Sequence, residues 1–109
     1  MECKTTNTIW AKIFIAGPLH IIEDVCREKC FEGLCVTVTP TKYIYTGGEE
    51  TGVIIGLINY PRFPSDYSII KGRAVAIADA IMERAYQTSY TIMMPDETIW
   101  INRRDELSK

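Results

Sequence analysis

The chain has one histidine in 109 residues, at position 20. Any Ser-His-Asp or Cys-His arrangement would have to use it, and neither a nucleophile elbow nor a cysteine-centred signature accompanies it. Basic runs are also missing. Lys and Arg total 12 against 14 Asp and Glu, a formal net charge of −2, so the clustered cations that hold nucleic acid are not there. No apolar run approaches the ~20 residues that a bilayer requires. The opening MECKTTNTIWAK lacks the apolar region of a signal peptide. These absences predict a cytoplasmic protein with no nucleic-acid or membrane partner. Cysteines are few: Cys3, Cys26, Cys30 and Cys35. Cys26 and Cys30 are i, i+4 neighbours on a predicted helix, and with Cys35 and His20 they could be drawn as a zinc set. No C-x2-C spacing supports that drawing, so they are read as reduced, core-filling thiols, with no metal and no cofactor.

What remains is an ordinary globular composition, 47% apolar and 24% charged, sized for one domain over residues 1–109. IWAKIFIAG (9–17) is apolar on both faces, as in a strand inside a sheet. Gly17-Pro18 ends it and opens a helix, LHIIEDVCREKCFE, with Leu19, Ile22, Cys26 and Cys30 as its buried stripe and Gly33 as its stop. LCVTVTPTKYIYT (34–46) alternates and is rich in β-branched and aromatic residues. Pro40 puts it at an edge or at a bulge. GGEE (47–50) is the hairpin loop, and TGVIIGLINY (51–60) returns as a central strand.

Beyond PRFP, Ser65 and Asp66 cap a long helix that runs to about Gln87, with Ile70, Ala74, Ile77, Ala78, Ile81 and Ala85 on the 3.6-residue beat. SYTIMM and ETIWIN are two short strands joined at Pro95-Asp96. The tail 103–109 is polar and expected to fray. The order β-α-β-β-α-β-β, with right-handed crossovers, predicts an α+β ferredoxin-like split β-α-β sandwich with an extra strand, two helices covering one face of an antiparallel sheet. Strand three carries Val53, Ile55 and Leu57 on one side and Ile54 and Ile58 on the other. Only one row can face the helices, so the open face predicts a homo-oligomer.

Candidate chemistry is sparse. Paired carboxylates stand at Glu23/Asp24, Glu49/Glu50 and Asp79/Glu83; the last pair, i, i+4 on the long helix, fits a solvated helix face. TGGEETG sits between antiparallel strands and lacks the strand-to-helix context of a phosphate loop. The string KIFIAGPL resembles, over eight residues, the opening of nucleoside deoxyribosyltransferases, but those enzymes are longer, doubly wound and dependent on acidic motifs absent downstream. Its physical content is a helix N-terminus beside His20 that can hold an anion.

Arginine and aromatic residues form the other pattern. Arg27, Arg62, Arg103 and Arg104 offer guanidinium forks for phosphate, and Tyr60 and Phe63 in NYPRFP offer ring faces for a base; Tyr43 and Tyr45 add two more in the hairpin. In overall plan, and in His20, Arg27, the run YPRF and Arg103-Arg104, the chain resembles the phage-encoded Thoeris anti-defence sponge proteins. That resemblance implies a non-catalytic protein in the host cytoplasm that sequesters a nucleotide-like signal, such as a cyclic ADP-ribose isomer, between subunits. The expected ligand-binding set is then His20, Arg27, Tyr60, Arg62, Phe63, Arg103 and Arg104, with no catalytic residue. Two alternatives remain: a regulatory small-molecule module of the ACT type, which shares the β-α-β-β-α-β order of the first six elements, and a small oligomeric isomerase-type enzyme.

Overall fold

A computed structural model describes residues 1–30 and 33–103. Its elements are β1 (Trp10–Ala16), α1 (Leu19–Lys29), β2 (Thr37–Tyr45), β3 (Gly48–Ile58), α2 (Tyr67–Arg84), β4 (Ser89–Met93) and β5 (Thr98–Asn102). The strands form one antiparallel sheet in the order β2-β3-β1-β4-β5. This is the expected split β-α-β sandwich with β5 added at the edge. Among the described residues, no helix is long and apolar enough to cross a membrane.

Register explains the burial. Ile13 lies opposite Ile55 and Ile92. All three are fully buried, together with Ala11, Val53, Ile22, Val25, Ala74, Ala78 and Ile81. This is the core between the sheet and the two helices. The small Ala74 and Ala78 let α2 approach the strands closely. The expected split of strand three is found: Val53, Ile55 and Leu57 are buried, whereas Ile54 and Ile58 lie on the open face. There they are joined by Trp10 and Phe14, opposite Ile58 and Ile54 in the ladder, and by Met93 and Trp100.

Several boundaries moved for identifiable reasons. β2 is the edge strand, where Pro40 pairs with Val53 without interrupting the ladder, because its missing donor can point outward. The hairpin turn is tighter than GGEE. β3 begins at Gly48, and Thr46-Gly47 alone make the turn, with Gly47 at φ +86°. α1 stops at Lys29 with Cys30 as its cap, so Cys30 is only half-buried, Leu19 is exposed, and Val25 takes a place in the buried stripe. The end of that predicted helix at 31–32 lies outside the described residues.

Asp66 caps α2 as expected, its carboxylate accepting from Ile69 N at 2.9 Å. At the other end, Gln87 N donates to Met82 O (2.8 Å) and Tyr86 N to Glu83 O (3.4 Å). This Schellman closure ends the helix before Gln87 and forces Tyr86 to φ +55°.

Buried Asn59 anchors the segment before β1. Its amide nitrogen donates to Asn7 O (2.9 Å) and Thr6 Oγ1 (3.1 Å), and its carbonyl accepts from Ser65 N at 2.8 Å.

Candidate active site

The seven residues expected to bind ligand do not converge. His20 is exposed in the first turn of α1, and Arg27 lies seven residues on, about 10 Å further along the axis. The Arg27 guanidinium is held by Asp24 at 2.9 Å and by Glu23 at 3.7 Å. Tyr60, Arg62 and Phe63 do come together, around a depression of about 240 Å³ completed by Gly33, Leu34 and Cys35. Within it the Arg62 guanidinium sits 5.5 Å from the Phe63 ring centroid.

A neighbouring groove of about 320 Å³ shares Leu34 and Cys35 and extends past Cys30 and Cys26 to Arg27. So Arg27, Tyr60, Arg62 and Phe63 share one flank of the molecule. Arg103 is elsewhere, its backbone N–H bonded to Thr88 O at 2.7 Å. Arg104, with the rest of the tail from 104 to 109, lies outside the described residues.

A second groove has the better chemistry. The β1–β3 ladder ends at Ala16 and Gly52, but β2 and β3 go on pairing as far as Tyr45 and Gly48. The hairpin therefore overhangs the end of β1. Beneath the overhang, on the open face and against the start of β4, lies a groove of about 280 Å³. Phe14 and Ala16 form its floor, Tyr43, Tyr45 and Glu50 one wall, and Thr88, Ser89 and Thr91 the other. Residues two apart on a strand share a face, which is why Tyr43 and Tyr45 project together, and Glu50 joins them as the ladder partner of Tyr43.

Gly52 makes this wall possible. A Cβ there would stand 2.5 Å from Ile15 O, 2.6 Å from Tyr43 Cε2 and 2.8 Å from Ala16 Cα. Its absence lets the Tyr43 ring lie across the strand, and the hydroxyl donates to the Val53 carbonyl. Burial raises the Tyr43 pKa. Tyr45 donates to Glu50 Oε1 at 3.1 Å, and that bond to a carboxylate raises the Tyr45 pKa. Among the described residues Glu50 has no basic partner; the neighbouring Glu49 takes Lys42 at 3.7 Å. The wall thus offers ring faces and a carboxylate able to receive a cation. In the sequence alone these carboxylates read as part of a hairpin loop. The signal available was the pair of aromatics at i, i+2, faced by an acid across a two-residue turn.

No family model matches the chain, and no curated protein matches it significantly. Two solved structures share its fold. One is a phage SAM lyase in the apo state, with TM-score 0.63 and 14% identity, the match covering 86% of this chain and 88% of that one. The other is a phage SAM lyase in complex with S-methyl-5'-thioadenosine, with TM-score 0.58 and 16% identity, covering 94% of this chain and 95% of that one. These matches overturn the expectation of a non-catalytic sponge. The proteins that share this fold along most of the chain are described as a lyase, an enzyme, and neither as a sequestering protein; sponge and anti-defence roles find no support. The phage-type plan and a nucleoside-like ligand fit the neighbours. The resemblance of His20, Arg27 and YPRF to the Thoeris proteins is a separate matter on which these matches do not bear.

Proposed function

We propose that the protein is an enzyme that cleaves S-adenosylmethionine in the groove beneath the β2–β3 overhang, releasing methylthioadenosine. The observation that carries this reading is the wall of Tyr43, Tyr45 and Glu50 over the end of β1, on a fold shared with a SAM lyase over nearly the full chain. The substrate carries two cations, a sulfonium and an α-ammonium. Aromatic faces attract a sulfonium as they attract quaternary ammonium groups, by roughly 0.5–2 kcal/mol, an attraction that binds and orients the substrate rather than lowering the barrier. A carboxylate is the natural partner for the ammonium. Phe14 gives the floor an apolar surface against which an adenine can lie.

The scarcity of acid–base groups then acquires a meaning. The substrate's own carboxylate can attack its Cγ: an O–Cγ bond forms, the Cγ–S bond breaks, and sulfur leaves with the electron pair as a neutral thioether. The products are methylthioadenosine and an amino-lactone. No proton moves and no water is consumed, so neither a histidine nor a metal is required. Opposite charges annihilate in this step, which favours a site that strips water from the substrate. The protein's work is to fold the aminobutyrate chain so that carboxylate and Cγ meet, and holding reacting groups together is worth up to about 7–11 kcal/mol.

Glu50 serves best on the α-ammonium, whose charge survives the reaction. Placed at the sulfonium it would stabilise the ground state more than the transition state. The same groove opens onto the apolar face bearing Phe14, Ile54, Ile58 and Trp100. A second copy of the chain seated on that face would cover those residues and close the groove from water, so the active form is a homo-oligomer. The test is incubation with S-adenosylmethionine, followed by chromatography and mass spectrometry. Methylthioadenosine and amino-lactone in equal amounts support the reading. Substrate recovered intact rejects it, and an unsaturated amino acid in place of lactone replaces the displacement with an elimination.

A further inference from the structure

Three of the four cysteines line one groove, away from the site just described. Cys26, Cys30 and Cys35 all face the 320 Å³ cleft between α1 and the start of β2. The backbone explains the gathering. Cys30 is the C-cap of α1 and leaves the helix with φ −87°, ψ 93°. Gly33, where description resumes, has φ +82°. Burial raises the Cys30 pKa, the nearby Cys35 thiol adds to the rise, and the Val36 backbone N–H offsets part of it, so the returning segment lies beside Cys30. Cys35 is the residue before Val36. Its thiol lies within electrostatic range of both Cys30 and the Tyr60 hydroxyl. Cys26, by contrast, is buried, and Cys3 is exposed in the segment before β1.

We infer that Cys30 and Cys35 form a reversible dithiol–disulfide pair, closed by exchange with a low-molecular-weight disulfide such as oxidised glutathione. The chemistry balances without any other reagent. The exposed Cys35 thiolate attacks one sulfur of the oxidant, forming a mixed disulfide and expelling one glutathione thiolate. Cys30, on the same groove, then attacks the Cys35 sulfur and expels the second. Two protein thiols become one disulfide, the oxidant becomes two thiols, and the two protons pass to the released glutathione. Exposed disulfides in proteins of reducing compartments are of this transient, redox-responsive kind. The bridge would staple the end of α1 to the start of β2 and narrow the cleft that reaches Arg27.

The experiment is a titration of the reduced full chain with oxidised glutathione, read by intact mass and by mapping of unreduced peptides. The expected result is loss of two hydrogens and one cross-linked peptide pair joining Cys30 to Cys35, reversed by dithiothreitol. Cys35→Ser should abolish the cross-link, and Cys30→Ser should stop the reaction at a lasting glutathione adduct on Cys35. Cys3→Ser with Cys26→Ser should leave the cross-link unchanged. A cross-link through Cys26 or Cys3 instead, or adducts on wild-type Cys35 that never resolve, would overturn the inference.

Discussion

Replacing Gly52 with alanine tests how the site is built. The new Cβ would meet the Ile15 carbonyl oxygen at 2.5 Å and Ala16 Cα at 2.8 Å. Neither is a flexible side-chain end that could swing aside. The β1–β3 ladder must open where Ala16 faces Gly52, and the neighbouring Gly17 N–H to Thr51 O bond of 3.0 Å must lengthen. The third contact, 2.6 Å to Tyr43 Cε2, pushes the ring off the strand and breaks its bond to the Val53 carbonyl. Overpacking costs about 1–3 kcal/mol and a lost hydrogen bond about 1, so Gly52→Ala should destabilise by roughly 2–4 kcal/mol. Gly72 in α2 supplies the control, since a Cβ there meets nothing within 4 Å. Gly72→Ala should stabilise by ~1 kcal/mol, because glycine is a poor helix former. Urea unfolding of the two variants against wild type measures both values. If Gly52→Ala lies within about 0.5 kcal/mol of wild type, the range of ordinary surface changes, the tight crossing of Tyr43 over β3 is wrong.

Other consequences follow from single residues. Tyr86 is almost fully exposed yet held at φ +55°; Tyr86→Gly should raise stability by roughly 1 kcal/mol in the same unfolding assay. Asn59→Ala strands Ser65 N and Asn7 O in partly buried positions. It should cost about 2–3 kcal/mol and loosen residues 1–8, seen as faster amide exchange there. Burial holds the Cys26 thiol near a pKa of about 11 against an ordinary 9.0. The raised folded-state value means that stability is fully present below pH 9 and declines as pH climbs through 11; Cys26→Ala should remove that part of the alkaline loss in a pH series of melting temperatures. Burying Ile58 and Trp100 between subunits predicts an oligomer at micromolar concentration, and Ile58→Asp should shift it toward monomer in light scattering.

The elements that sequence pattern could place were those with a strong period. The α2 stripe from Ile70 to Ala85 and the two apolar rows within residues 53–58 both appear as read, because burial on a fixed face leaves its mark at 3.6 or 2 residues; the strand's ends did not, since the stretch read over 51–60 runs Gly48–Ile58. Places governed by a single backbone event were harder. The Schellman turn puts a tyrosine where glycine is favoured, so nothing in the letters marks the stop at Arg84. The turn at Thr46-Gly47 is shorter than GGEE suggested, and that difference lengthens the hairpin enough to overhang β1. The groove exists only because β2 and β3 outlast β1, a comparison of lengths across the sheet that local reading does not make. Arginine forks suit phosphate, yet Arg27 is occupied by Glu23 and Asp24 on its own helix. The acid at Glu50 matters more if the ligand is a cation.

The central claim is that chemistry occurs under the hairpin and not along the arginine flank. Its most direct test is kcat/KM for S-adenosylmethionine cleavage in wild type, Glu50→Gln and Arg27→Ala, measured side by side on folded protein. Losing a hydrogen bond to a charged group is worth roughly 1.5–3 kcal/mol, so Glu50→Gln should lower kcat/KM roughly 10–150-fold. Arg27→Ala should leave it within about twofold of wild type, since the groove under the hairpin does not include Arg27. Cleavage that survives Glu50→Gln unchanged, or collapses with Arg27→Ala, would contradict the account, as would a wild-type protein that leaves the substrate whole.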